Sequence, residues 1–102
     1  MAAAGLSDGD YRLGALEVTV RDGAPRLTGT DTIAGSTATT DHLFRTAVAA
    51  GGSLLDVVRQ TSVNPARVLG LTDRQLEPGG RADLVVLDAD LAVVEVRPAA
   101  DR

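Results

Sequence analysis

The sequence predicts part of an α/β architecture, with strands near both ends and helices between them. Apolar and polar residues alternate over residues 16–20 (LEVTV), which indicates a half-buried strand. Apolar residues recur at helical spacing between residues 37 and 58. The continuous apolar run at residues 84–87 (LVVL) is typical of a strand covered on both faces. No parallel βαβ pattern accompanies these elements, so the sequence predicts a portion of an α/β fold.

The first elements are a loop and a hairpin. Residues 1–10 are small and polar, which predicts a loop, and residues 11–27 predict a hairpin. Asp22 and Gly23 form its turn, because both tolerate positive φ. Pro25 lacks an N–H and therefore places the returning strand at an edge. Residues 28–36 predict a second loop.

Three helices are predicted next. The first covers about residues 37–50 and ends at Gly51 and Gly52, and its apolar face is formed by Leu43, Phe44, Ala47 and Val48. Ser53 begins the second helix, with Asp56 in a capping-box position. Asn64 is expected to cap a third, short helix that has Pro65 in its first turn, and Gly70 to end it.

A second hairpin is predicted at the C-terminal end of the chain. Pro78, Gly79 and Gly80 indicate a tight turn before the strand at residues 84–87. Asp88, Ala89 and Asp90 then turn the chain into a strand over residues 91–96. Residues 98–102 are expected to fray as a tail.

Composition excludes several classes of function. The net charge is −4 and the ten basic residues, all Arg, are scattered, so nucleic-acid binding is not expected. The absence of Cys excludes disulfides and Cys-ligated metals. No apolar run approaches the ~20 residues of a membrane-spanning helix. The N-terminus lacks the basic and apolar regions of a secretory signal, which predicts a cytoplasmic protein. Tyr11 and Phe44 are the only aromatic residues, which predicts weak autonomous stability.

Residues that could carry out catalysis are sparse. His42 is the only histidine, and one histidine cannot supply the several ligands of a hydrolytic metal site. Ser36 lacks a nucleophile motif around it and is interpreted as a cap or loop hydroxyl. We therefore assign no catalytic residue and no metal ligand. The best functional candidate is the segment around Ile33, Ala34 and Gly35, where a glycine before a helix lets an anionic ligand approach free N–H groups.

Several turn and cap residues at the C-terminal end occur in a specific order. They are the Asn-Pro-Ala-Arg helix at residues 64–67, Gly70, the Pro-Gly turn, and the Ala-Asp-Leu strand at residues 82–84. This order resembles the C-terminal end of the amidohydrolase superfamily. The resemblance implies the C-terminal part of a metal-dependent (β/α)8 barrel hydrolase, plus strands of its small β-sandwich domain. Residues 1–70 would belong to the barrel domain, residues 71–97 to the small β-domain, and residues 98–102 to the tail.

The N-terminal half narrows this resemblance. Ala-Ala-Ala-Gly at residues 2–5, Tyr-Arg-Leu-Gly at residues 11–14, Asp-Gly at residues 22–23 and Ile-Ala-Gly-Ser-Thr at residues 33–37 resemble the N-acetylglucosamine-6-phosphate deacetylase family. The resemblance implies hydrolysis of a linear amide bond of the sugar phosphate, by water bound to a divalent metal such as zinc. It implies that Ile33, Ala34 and Gly35 contact the sugar phosphate. The family's catalytic aspartate and metal ligands would lie upstream of Met1, so the chain alone is expected to bind no metal and to be inactive.

Two alternatives stay open. A dihydroorotase-like or adenine-deaminase-like amidohydrolase shares the C-terminal motifs, although the Tyr-Arg-Leu-Gly hairpin and the Ala-Gly-Ser-Thr loop favour the sugar deacetylase. A non-catalytic interaction module is the other alternative. Uncovered strand edges would then be covered by self-association into a homo-oligomer or by a partner.

Overall fold

The computed structural model describes residues 2–71 and 76–99. The chain divides into two compact units, residues 1–39 and residues 40–102, which are described separately. The first unit contains strands β1 (Gly9–Leu13), β2 (Leu16–Arg21) and β3 (Ala24–Leu27). The second contains helices α1 (Thr40–Ala49), α2 (Leu54–Val58) and α3 (Asn64–Val68), a π-helical segment (Arg59–Val63), and strands β4 (Leu84–Leu87) and β5 (Val93–Arg97).

The first unit is built on a three-stranded antiparallel sheet in the order β1-β2-β3. The predicted turn is confirmed, because Asp22 and Gly23 both have positive φ between β2 and β3. Pro25 lies in an edge strand, as predicted. The predicted hairpin was incomplete, however, since β1 adds a third strand that begins at Gly9, inside the segment predicted as a loop. The chain therefore forms a meander.

The two faces of this sheet differ in polarity. Val18 and Val20 alternate along β2 and are each only 1% exposed, so they form the core of this unit together with Ala3. Thr19 lies between them and points to the opposite face, where its hydroxyl donates to Asp10 at 2.8 Å and lies 3.0 Å from the hydroxyl of Thr28. The alternation predicted for residues 16–20 is thus confirmed at the level of individual side chains.

Helix α1 begins at Thr40, later than the predicted start near residue 37. Its end is as predicted. Gly51 has a φ of +98°, and the N–H groups of Gly51 and Gly52 donate to the carbonyls of Val48 and Ala47 at 2.9 and 3.0 Å. These two bonds close the last turn in the pattern of a Schellman motif.

Helix α2 starts as the sequence predicts and then continues in a way it did not predict. The Ser53 hydroxyl accepts from the N–H of Asp56 at 3.2 Å and donates to its carboxylate at 2.6 Å. The bonds from Ser53, and then from Arg59, hold the pKa of the Asp56 carboxyl below its usual value. Residues 61–64 were expected to link two helices, but α2 passes into the π-helical segment and then directly into α3.

The predicted cap at Asn64 was wrong. Asn64 has helical backbone angles, and its N–H donates to the carbonyl of Arg59, five residues back. Pro65, in the first turn of α3 as predicted, explains this wider turn, because a proline ring clashes with the preceding turn of a regular α-helix. Gly70 ends α3 as predicted, with a φ of +72° and bonds from the N–H groups of Gly70 and Leu71 to earlier carbonyls.

The C-terminal hairpin pairs β4 with β5 in antiparallel register. The Asp88 carboxylate accepts from the N–H groups of Asp90 and Ala92 at 2.9 Å, which confirms the predicted turn. The second strand begins at Val93, after Leu91 adopts a φ of +62°. The expectation that residues 84–87 are covered on both faces was wrong for this chain, since Val85 is 59% exposed.

The tail is more ordered near its start than predicted. The N–H of Ala99 donates to the carboxylate of Asp83 at 2.8 Å, so this residue is held against the segment before β4. The rest of the predicted tail, residues 100–102, lies outside the described residues, as do residues 72–75 of the segment assigned to the small β-domain.

Candidate functional site

The segment that contains Ile33, Ala34 and Gly35 follows the free edge of β3. Arg26 and Ile33 form an isolated antiparallel bridge, and the N–H of Ala34 donates to the carbonyl of Pro25 at 2.9 Å. Pro25 is buried, so the segment is attached to a buried part of the sheet. The structure therefore brings the three predicted substrate-binding residues together on one edge.

Gly35 leaves open space at the end of this segment. Its φ is +97°, a conformation that side-chain-bearing residues rarely adopt, and no heavy atom lies within 4 Å of the position that a Cβ would take. Ile33 beside it is 67% exposed. Gly35 itself is exposed, so its backbone is accessible to a ligand in the part of the chain that the structure describes.

The number of residues between this segment and the start of helix α1 differs from the prediction. Because α1 begins only at Thr40, Gly35 lies five positions before the first residue of the helix and not at its start. Ser36 acts as a loop hydroxyl, and its Oγ accepts from the N–H of Ala38 at 3.0 Å. The free N–H groups of a helix N-terminus therefore do not explain how this segment would bind an anion.

A hydrogen-bonded network fixes the chain on the C-terminal side of Gly35. The Thr37 hydroxyl donates to the carbonyl of Gly23 at 2.8 Å, and the Thr37 carbonyl accepts from the N–H of Gly5 at 2.8 Å. The Asp8 carboxylate accepts from the N–H groups of Asp22 and Gly23 at 2.8 and 3.0 Å. The bond from Gly23, followed by the bond from Asp22, lowers the pKa of Asp8 below its usual 3.8. We name these four contacts the turn network.

The polar face of the sheet carries a shallow depression that the sequence interpretation did not find. It has a volume of about 270 Å³ and is lined by Asp10, Tyr11, Arg12, Glu17 and Thr28. Arg12 and Glu17 face each other across β1 and β2. The residues before position 16 show no clear apolar alternation, so the strand that brings these side chains together gave no signal.

The described residues offer no metal-binding group. Within residues 2–71 and 76–99, no cluster of three or more His, Cys, Asp or Glu side chains could hold a metal ion. His42 lies on α1 and is exposed. The helices in the same ranges lack the length and apolarity needed to cross a membrane.

Comparison with known proteins identifies the family. Residues 15–101 match the amidohydrolase family over most of the chain. The chain belongs to the amidohydrolase family. The superfamily resemblance inferred from the helix at residues 64–67 and the strand at residues 82–84 is thereby confirmed.

Among solved structures, the chain is similar to N-acetyl-D-glucosamine-6-phosphate deacetylase from Mycobacterium smegmatis. An aspartate-to-alanine variant of that enzyme, in complex with N-acetyl-D-glucosamine-6-phosphate, is 56% identical and superposes with a TM-score of 0.84 over 96% of this chain. An Escherichia coli N-acetylgalactosamine-6-phosphate deacetylase is 37% identical over 99 residues, or 94% of this chain. The narrower resemblance drawn from the N-terminal half is thus confirmed.

A second group of relatives matches a shorter part of the chain. An adenine deaminase from Sinorhizobium fredii is 56% identical over 50 residues, which is 48% of this chain. The chain spans only a part of each of these amidohydrolases: 27% of the Mycobacterium smegmatis chain, 26% of the Escherichia coli enzyme and 9% of the adenine deaminase.

Proposed function

We propose that this chain is the C-terminal part of an amidohydrolase that removes the acetyl group from N-acetylglucosamine-6-phosphate. The observation that carries the proposal is the similarity to the Mycobacterium smegmatis enzyme, at 56% identity and a TM-score of 0.84 over 96% of the chain. That enzyme's complex contains the sugar phosphate itself. The products would be glucosamine-6-phosphate and acetate.

Within such an enzyme, the segment of Ile33, Ala34 and Gly35 would form one wall of the sugar-phosphate site. Three features support this role: the segment lies on an edge, the backbone of Gly35 is open, and the chain is anchored on both sides of the glycine. We further propose that residues 1–70 belong to the barrel domain and residues 71–97 to the small β-domain. The cytoplasmic location expected from the sequence remains a prediction.

The described residues do not fit the divalent metal that the family resemblance implies. They hold no cluster of three His, Cys, Asp or Glu side chains, and the single histidine is exposed. The chain would therefore contribute to binding the substrate, and the chemistry would depend on residues outside this sequence. We expect no hydrolysis by the isolated 102-residue chain.

The direct test is a chimeric enzyme. Residues 2–99 replace the matching segment of the Mycobacterium smegmatis deacetylase, and acetate release from N-acetylglucosamine-6-phosphate is measured against the unmodified enzyme. We expect the chimera to fold and to retain kcat/KM within about tenfold, since the replaced segment would contact substrate but supply no reacting group. A chimera that does not fold, or that folds and binds metal without turnover, contradicts the proposal.

Adenine deamination is the second candidate, favoured by the 56% identity over 50 residues. The lower coverage, 48% against 96% of this chain, argues against it. The discriminating experiment grafts the 50 matching residues of this chain into the corresponding part of the Sinorhizobium fredii deaminase. Retention of deaminase activity there, combined with loss of deacetylase activity in the first chimera, would favour the second candidate.

In the deacetylase chimera, N-acetylgalactosamine-6-phosphate as a competing substrate would reveal which sugar epimer the site prefers.

A further inference from the structure

The loop at residues 33–35 is not part of helix α1, which begins at Thr40, and the contacts that fix its backbone lie within the first unit. We propose that Thr37 and Asp8 are positioning residues for this loop, acting through the turn between β2 and β3. The inference rests on the proposed function, because it assumes that residues 33–35 contact the sugar phosphate. Neither side chain would itself touch the substrate.

Thr37 ties the chain that leaves the loop to two separate segments. Its hydroxyl donates to the carbonyl of Gly23 at 2.8 Å, and its own carbonyl accepts from the N–H of Gly5 at 2.8 Å. Thr37 lies only two positions after Gly35. Displacement of Thr37 would therefore move the open glycine backbone almost directly.

Asp8 fixes the turn to which Thr37 is bonded. Its two carboxylate oxygens accept from the N–H groups of Asp22 and Gly23 at 2.8 and 3.0 Å. Both turn residues have positive φ, which is unfavourable for a residue with a side chain such as Asp22. The bidentate acceptor offsets that cost and orients the Gly23 carbonyl toward Thr37. The bonds from Gly23 and Asp22 lower the pKa of Asp8, which is consistent with an ionised carboxylate as their acceptor.

The chain that enters the loop is anchored to strand β3, which follows this turn. Ala34 donates to the carbonyl of Pro25, which follows the turn by two residues. Ala34 is thus bonded to β3 and Thr37 to the turn before β3, and Gly35 lies between these two attachments. Binding sites lose much of their efficiency when contact groups shift by about 1 Å, so a loosened turn is expected to weaken substrate binding.

The test uses the active chimera described above with four variants. Thr37→Val removes the hydroxyl at nearly constant volume, and Thr37→Ser keeps it. Asp8→Asn removes the charge and one acceptor of the turn. Thr46→Val is the matched control, because the Thr46 hydroxyl donates to the carbonyl of His42 at 2.9 Å, within α1 and outside the turn network.

We expect Thr37→Val and Asp8→Asn to raise KM for N-acetylglucosamine-6-phosphate about fivefold or more, with kcat within about twofold. Thr37→Ser should restore KM, and Thr46→Val should leave both constants unchanged. The inference is overturned if Thr37→Val leaves KM unchanged, lowers only kcat, or behaves like Thr46→Val. A purely structural role would lower the melting temperature without this separation of KM from kcat.

Hydrogen exchange of the backbone separates failure of this inference from failure of the proposed function. If the chimera shows no turnover, the proposed function fails, but exchange at residues 33–37 can still be compared among the variants. Faster exchange there in Thr37→Val than in Thr46→Val supports the positioning role. Equal exchange contradicts it.

Discussion

The β1–β3 sheet and the β4–β5 hairpin are both antiparallel and both contain alternating valines, yet these valines have opposite environments. Val18 and Val20 of the sheet are 1% exposed. Val85 and Val96 are paired across the hairpin and are 59% and 64% exposed. A valine-rich pattern therefore predicts that a strand forms, but the pattern does not predict what covers it.

The difference has a physical cause in the number of strands and in the polarity of the faces. The sheet has three strands, with apolar residues on one face and Asp10, Thr19 and Thr28 on the other. A two-stranded ribbon is marginally stable unless something packs on it. Large apolar residues exposed together indicate contact with another polypeptide surface. Under the proposed function, the rest of the amidohydrolase would supply this surface, and the chain spans 27% of the Mycobacterium smegmatis enzyme.

The largest expected effect comes from placing a charge in each region. Val18→Asp puts an unpaired carboxylate in a buried position, which should destabilise the sheet by about 3–5 kcal/mol. Val96→Asp in the 102-residue chain should change stability by less than about 0.5 kcal/mol, because the position is exposed. Amide resonances of each variant, followed against denaturant concentration, measure both effects.

The same pair of variants in the chimera sharpens the comparison. If another part of the enzyme covers the hairpin, Val96→Asp should become strongly destabilising there, and Val18→Asp should be destabilising in both contexts. Equal tolerance of Val96→Asp in chain and chimera would mean that nothing in the enzyme covers this face.

A smaller effect is expected from two glycines with nearly the same backbone conformation, one in each unit. Gly35 has a φ of +97° and Gly51 a φ of +98°, and a Cβ at either meets no atom within 4 Å. Replacement by alanine should therefore cost a similar ~1–2 kcal/mol of stability at both positions. In the chimera, only Gly35→Ala should also raise KM, by about tenfold. A matching rise in KM for Gly51→Ala would show that strain alone accounts for the effect.

The smallest effect concerns acid and the turn network. The pKa of Asp8 is lowered in the folded state, so its ionised form stabilises the sheet. This contribution is complete at pH values above the usual pKa of 3.8, and it is lost as the pH falls through the lowered pKa. Asp8→Asn should therefore lower the melting temperature at neutral pH and have no effect at a pH well below 3.8. Thermal melts at both pH values test this, and a difference that persists in acid would contradict it.

The elements that could be predicted are those specified by local chemistry. Ser53 with Asp56, Gly70 and the turn at Asp22 each act within a few residues, and all three were found as predicted. The prediction for Asn64 was wrong because an Asn before a Pro can either cap a new helix or lie within a continuous one. Here the helix continues through a π-helical turn, and Asn64 does not act as a cap. Strand β1 was not predicted as a separate strand, although residues 11–13 lay within the predicted hairpin, because its own apolar pattern is weak and its pairing with β2 stabilises it.

The candidate site could be predicted from the sequence, but the contacts that hold it could not. The family resemblance indicated Ile33, Ala34 and Gly35 as the candidate residues. The lack of a side chain at Gly35 accounts for its positive φ and for the open space beside its backbone. The contacts that hold the loop join residues far apart in the sequence, such as Thr37 with Gly23 and Asp8 with Asp22. No periodicity or spacing rule connects such pairs, and only the folded sheet brings them together.

The most direct test of the proposed incompleteness of this chain is hydrogen exchange of the two strand regions, in the 102-residue chain and in the chimera. Our account predicts that residues 9–27 are protected in both proteins, and that residues 84–97 gain protection of about 100-fold or more only in the chimera. Equal protection of residues 84–97 in both proteins would contradict it, because the chain would then stabilise its C-terminal hairpin without the rest of an amidohydrolase.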